Sequence, residues 1–291
     1  MSTRPVEAAE PVGASTPIQA QDLAITMFGA YVHPREGTVW SGGLVTLLGE
    51  FGVSAGTARV ALARLARRDL LSRVKDGRLV HYRSTVRLQH VLDEGDRRIF
   101  SLGREEHRAE LWTVLWHWLP EELRLQRGRL ARRLRFLGFG SVQDGTWVSP
   151  HQREEEVIEL LEDLGITDYA TVLIGKSARS LDLNRLAESA WDLGGLAERY
   201  RGFVDEFSPL RSDLARRTLD DREAFLLRTR LVHTFRGFPF LDPELPDELM
   251  PDPRGRTEAV TTFHELYAAL AGPAQRHFDA LTEGHPALLA P

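Results

Sequence analysis

Residues 52–83 read GVSAGTARVALARLARRDLLSRVKDGRLVHYR. Ser54 is of a type that caps helices, and Ala58, Ala61, Leu62 and Leu65 then recur at helical spacing to about Arg68. On a helical wheel these four make one apolar face. Opposite them fall Gly56, Val60, Ala63 and Arg67, with Arg59 and Arg64 on the flanks and Thr57 at the N-terminal edge. Residues 71–75 and 78–83 are strand-like and enclose Asp76-Gly77, a strong two-residue hairpin signal. Upstream, Ser41 is placed to cap a helix bearing Leu44, Leu47, Leu48 and Phe51, and the turn Gly52-Val53-Ser54 has a length suited to a helix-turn-helix. Asp22 is placed to cap an earlier helix bearing Leu23, Met27, Phe28 and Tyr31, which His33-Pro34-Arg35-Glu36-Gly37 breaks before the β-like Thr38-Val39-Trp40. Three helices followed by a basic hairpin is the winged-helix order, expected over residues 21–88.

Charge sharpens this expectation. The whole chain carries −5, but residues 54–90 hold nine basic and two acidic side chains, a local +7 against −12 for the remainder. A basic segment on an acidic body is the footprint of a nucleic-acid-reading module. Small side chains in the middle of residues 55–67 would let that helix approach base edges in a major groove. Val60 and Ala63 suit thymine methyls, Thr57 a base edge, and the flanking Arg59 and Arg64 the phosphates, with Arg67 on the same DNA-facing side. The helix start at Ser54 offers backbone N–H groups to a phosphate. Lys75 and Arg78 flank the hairpin turn and would reach the minor groove or backbone.

Further along, residues 89–108 read as a charged connecting helix. Residues 109–178 then follow the order βαββαβ: a strand at 111–119, a helix from Pro120 to about 137, strands at 139–142 and 146–148 around Asp144-Gly145, a helix at 154–164 and a strand at 169–174. That order is the ferredoxin-like split βαβ arrangement. Residues 179–291 read as a helical C-terminal domain with helices at 183–193, 196–206, 210–236 and 257–270, interrupted by a proline-rich stretch from Pro239 to Pro253. The expected class is therefore α+β, in three parts. Residues 1–20, with Pro5, Pro11, Pro17 and Gly13 among small and acidic residues, read as a disordered tail without a secretory signal.

Composition narrows the chemistry. With 0 Cys there are no disulfides, zinc–thiolate sites or cysteine nucleophiles, and a reducing cytoplasm is the simplest location. No apolar run approaches the roughly 20 residues of a membrane helix.

The blocks MFGAYVHPREGTVWSGGLVTLLGEFGVSAGTARVALARLARRDLL, GRLVHYRST, LRFLGFGSVQDGTWVSP and LVHTFRGFPFLDPELPDELMP resemble the PaaX-like regulators, the phenylacetate-degradation repressor family. The resemblance covers roughly residues 22–271, with Phe235 where the family pattern has Tyr. It implies a homodimeric repressor of catabolic genes on double-stranded DNA, freed from a partly palindromic operator by an aryl-CoA thioester effector. It also implies a middle domain like the small CRISPR-associated nucleases. Arg230, His233 and Arg236 share a broad helical face. They either pair with acids such as Asp220, Asp221 or Asp242 or face the phosphates of an acyl-CoA, with Phe235, Phe238 and Phe240 as an apolar wall.

Rival functions find less support. A metal nuclease needs a carboxylate on its first strand, and LWTVLWHWL at 111–119 offers only Thr113 and His117 as polar members. Trp112, Trp116 and Trp118 read as core or interface. Gly175-Lys176-Ser177 imitates the end of a phosphate loop, but Ala170 stands where the first glycine is needed. His264-Glu265-Leu266-Tyr267-Ala268 lacks the second His of a zinc helix. No enzyme, cofactor or metal site is expected. The alternatives are a winged helix that binds protein without operator specificity and, behind it, a ferredoxin-like nuclease.

Overall fold

The computed structural model describes residues 19–35, 37–104, 111–176, 182–216 and 219–283. Most of the tail expected at 1–20 lies outside them, and Ala20 already belongs to the first helix. The fold mixes helices with two antiparallel sheets, an α+β composition. Two compact units form. One gathers the chain up to Leu92 with Asp220–Thr229 and the residues from Gly272 onward; the other comprises Asp93–Leu219 and Arg230–Ala271.

In the first unit, α1 (Ala20–Met27) continues into a π-helical turn (Phe28–Val32) and a short 3-10 turn (His33–Arg35). Asp22 does not cap α1. It lies inside the first turn, where a carboxylate still complements the helix dipole. Strand β1 (Thr38–Trp40), α2 (Ser41–Gly49), α3 (Ala55–Arg67), β2 (Leu71–Asp76) and β3 (Leu79–Ser84) follow. The sheet order is β1-β3-β2. Asp76 pairs with Leu79, and Gly77 at φ +56° supplies the left-handed residue that the hairpin turn requires. Helix α4 (Val86–Ser101) leaves this unit after Leu92.

In the second unit, β4 (Trp112–His117), α5 (Arg124–Phe136), β5 (Gly140–Gln143), β6 (Thr146–Ser149), α6 (Glu154–Leu164) and β7 (Ala170–Gly175) keep the expected βαββαβ order. Their strands align as β5-β6-β4-β7, every pair antiparallel. Residues alternate across β4. Leu115 joins Leu130, Leu134, Trp147, Val157 and Leu161 in the core beneath α5 and α6, while Trp116 is 57% exposed on the other face. Trp112 is buried and Trp118 exposed, so only one of the three tryptophans is core within this chain.

Helices α7 (Leu183–Ala190), α8 (Leu193–Arg216), α9 (Asp221–Phe235), the short α10 (Phe238–Leu241), α11 (Pro253–Ala269) and α12 (Ala271–Thr282) complete the chain. Pro209 lies inside α8, where the sequence suggested a break between 206 and 210. The helix persists because α8 packs along α11, with Arg211 bridging Glu258 (2.9 Å) and Glu265 (2.5 Å). Helix α12 had no counterpart in the sequence reading.

The first unit closes with chain from far downstream. Tyr31 stacks on Phe278 of α12 at 4.9 Å, lies 5.3 Å from Phe225 of α9, and its hydroxyl is 2.8 Å from the Thr229 hydroxyl. Buried Arg228 donates to the Ala30 carbonyl (3.0 Å) with its guanidinium 5.1 Å above the Tyr31 ring. Arg222 and His277 reach the Glu50 carboxylate at the end of α2, at 3.0 and 3.1 Å. At Gly43 of α2 a Cβ would stand 2.1 Å from the Leu281 carbonyl oxygen, so only glycine admits the end of α12 there.

Candidate nucleic-acid interface

Helix α3 is fixed by its start and by one face. The Ser54 hydroxyl accepts from the Thr57 backbone N–H at 3.2 Å, a side-chain cap that satisfies one otherwise orphaned donor. Ala58, Ala61, Leu62 and Leu65 are buried, which anchors the helix and fixes which side looks outward. On that side Thr57, Arg59, Arg64 and Arg67 are exposed, Val60 is 50% exposed and Ala63 is half-buried. Among the described residues, Arg59, Arg64 and Arg67 have no ion-pair or hydrogen-bond partner. They stand as free cations around a patch of small side chains.

The hairpin adds to this charge. Lys75 on β2 and Arg78 in the turn are exposed; the turn is Gly77-Arg78, one residue later than the expected Asp76-Gly77, because Asp76 still pairs with Leu79. Two further exposed cations were not singled out in the sequence: Arg73, whose guanidinium is 5.9 Å from the Tyr82 ring, and Arg83 on β3. For Arg83 the signal was available, since it alternates with buried Tyr82 and Ser84 along β3.

The three cations proposed for an effector have a different setting. Arg230 is exposed and ion-paired with Glu206 of α8 at 2.7 Å. The acids suggested by sequence are engaged elsewhere: Asp221 pairs with Arg276 (2.6 Å), and buried Asp242 accepts from the Tyr200 hydroxyl (2.7 Å). Burial, and then the Asp242 charge, push the Tyr200 hydroxyl pKa well above its ordinary value. His233 and Arg236 are half-buried. Phe235 is fully buried and stacks on Phe263 at 3.9 Å, Phe238 is buried, and Phe240 alone is exposed. The first two are therefore core, and the site missing from the sequence is the Tyr200–Asp242 pair that holds this region.

Elsewhere, β7 runs straight into Gly175 as a strand, and Ser177 lies outside the described residues. Among the described residues no group of three or more His, Cys, Asp or Glu could hold a metal ion, and no helix is long and apolar enough to cross a membrane.

Comparison with known proteins agrees along the chain. Residues 19–88 match the model described as PaaX-like protein, residues 105–187 the PaaX protein central Cas2-like domain, and residues 191–280 the PaaX-like protein C-terminal domain. The chain is 29% identical over 249 residues to the Transcriptional repressor PaaX of Escherichia coli (strain K12), a match spanning 81% of this chain and 76% of that protein. Among solved structures it is similar to the uncharacterized protein Rv0674 from Mycobacterium tuberculosis, with a TM-score of 0.54 and 22% identity over 88% of this chain and 96% of the other, which speaks to fold alone. With three consecutive family domains matched in order and a repressor relative along most of its length, the chain belongs to the PaaX-like protein family.

Proposed function

We propose that this chain is a DNA-binding transcriptional repressor of a catabolic operon, that of phenylacetate breakdown by analogy with the family, acting in the cytoplasm. Residues 21–88 are read as a winged helix-turn-helix with α3 in the major groove and the β2–β3 hairpin as its wing. Residues 89–108 connect it to a ferredoxin-like middle domain at 109–178 and a helical C-terminal segment at 179–291, of which residues 220–229 and 272–283 pack with the first unit. Two-fold operator symmetry makes a homodimer the natural binding form. Release by a small ligand such as an aryl-CoA thioester completes the cycle, with Arg230, His233 and Arg236 as effector-binding candidates.

The observation that carries this reading is the outward side of α3. Its apolar face is consumed by the core, so the cationic side has no structural employment, and unpaired Arg59, Arg64 and Arg67 surround a surface smooth enough to meet base edges. Gel shifts with DNA from upstream of the chain's own gene, run with salt and competitor series, test it. A shifted complex that resists unrelated competitor DNA is expected. Equal displacement by any duplex would defeat operator recognition. Adding phenylacetyl-CoA should dissolve the complex, and a complex indifferent to every acyl-CoA tried would remove the effector assignment alone.

A further inference from the structure

A second cationic surface lies on the other unit, at α5. Its thirteen residues include Arg124, Arg127, Arg129, Arg132, Arg133 and Arg135, and no Asp or Glu occurs in 124–143. One of the six is structural: Arg127 turns back to the Leu119 carbonyl (2.7 Å) and lies 3.4 Å from Glu121. The other five are exposed, because Leu130 and Leu134 fix the opposite face of the helix in the core. Arg133 and Arg135 rest over the rings of Phe136 (5.7 Å) and Trp147 (5.4 Å), contacts that orient a guanidinium without neutralising it. Arg124, Arg129 and Arg132 have no ion-pair or hydrogen-bond partner among the described residues. The acids of neighbouring α6, such as Glu159 and Glu162, are exposed and form no ion pair with them.

Five like charges without an acidic partner among the described residues, on a helix roughly 20 Å long, repel one another. We propose that the exposed side of α5 is a second DNA-contacting surface, one that grips the sugar–phosphate backbone without reading sequence. The chemistry favours a polyphosphate over an acidic protein. Protein interfaces centre on buried apolar or aromatic anchors, and on α5 only Leu125 is both apolar and exposed. Gly128 lies between the arginines with open space where a Cβ would be, so a backbone phosphate can come close. The inference rests on the DNA-binding reading above, but on different residues.

The test uses the full chain with Arg124→Gln, Arg129→Gln and Arg132→Gln combined, all at exposed positions. Binding to a mixed-sequence duplex of about 60 base pairs, long enough for several contacts, is followed by fluorescence anisotropy across a salt series, beside wild type and an Arg59→Ala/Arg64→Ala control. Each phosphate contact contributes about 0.9 to the slope of log affinity against log salt, so the triple variant should lose about 2–3 from the slope and bind about tenfold or more weakly. An unchanged slope in the triple variant, with a flattened one in the control, overturns the α5 proposal and leaves the α3 reading standing. An unchanged slope together with a smaller sedimenting species assigns α5 to a second copy of the chain, and also overturns it. Absence of salt-dependent DNA binding in wild type overturns both.

Discussion

Arg59 and Arg64 show how single residues were legible before any fold was known. Helical spacing put them on the flanks of an apolar face, and burial of that face left them outward and unpaired. Replacing either by Ala should weaken binding to all duplexes and lower the salt slope by about 1 each; an anisotropy titration over salt reads this directly. Arg230 shows the opposite case. Sequence placed three acids near it in number, but the partner chosen by packing is Glu206. His117 and His264 were invisible as titrating groups. Burial lowers the pKa of both below the ordinary 6.5, so the folded chain holds them neutral. Because the folded-state values are depressed, their contribution is present above pH 6.5 and is lost as pH falls through the folded values. Thermal melts should therefore move down between neutral and mildly acidic pH, and His264→Phe should reduce that dependence. An unaltered dependence in the variant would locate the effect elsewhere.

At the scale of elements, period and turn chemistry did most of the work. Residues 154–164 are a helix as expected, Asp144-Gly145 closes its hairpin as expected, and the first hairpin closes one residue later than expected, at Gly77-Arg78. The Asp144-Gly145 turn is tighter than its sequence reveals. Gly145 has φ +76°, its carbonyl accepts from the His117 N–H at 2.8 Å, and a Cβ there would lie 2.4 Å from the His117 carbonyl oxygen. Gly145→Ala should thus cost about 1–3 kcal/mol from left-handed strain and overpacking. Denaturant unfolding of the variant measures this, and an unperturbed midpoint would contradict the packing at that turn. Helices expected at 196–206 and 210–236 differ from the structure: α8 runs through Pro209 to Arg216, its packing on α11 outweighing the one backbone bond that proline removes, and α9 starts separately at Asp221.

At the scale of the whole molecule, the first unit is not built from consecutive chain. Tyr31, Phe225 and Phe278 form one aromatic cluster although the last two come more than 190 residues after the first, and the Tyr31–Thr229 hydrogen bond likewise spans 198 positions. Phe278 is 2% exposed, so Phe278→Ala should destabilise the unit bearing α3 by about 3–5 kcal/mol. Equilibrium unfolding reported by a probe in the β2–β3 hairpin checks this. A hairpin that unfolds at the wild-type midpoint would mean that the N-terminal elements stand alone.

What residue order determined by itself was local: the cap at Ser54, the apolar stripe of α3, the Asp-Gly hairpins, the βαββαβ succession and the sign of charge along each segment. These depend on neighbours three or four positions away, and such spacing is written in the sequence. What only the tertiary structure decided was long-range: that α12 and the first half of α9 belong with the N-terminal unit, that Arg230 finds Glu206, and that Phe235 is core. Those outcomes follow from which apolar surfaces are buried against each other, a choice among distant segments that no local period encodes.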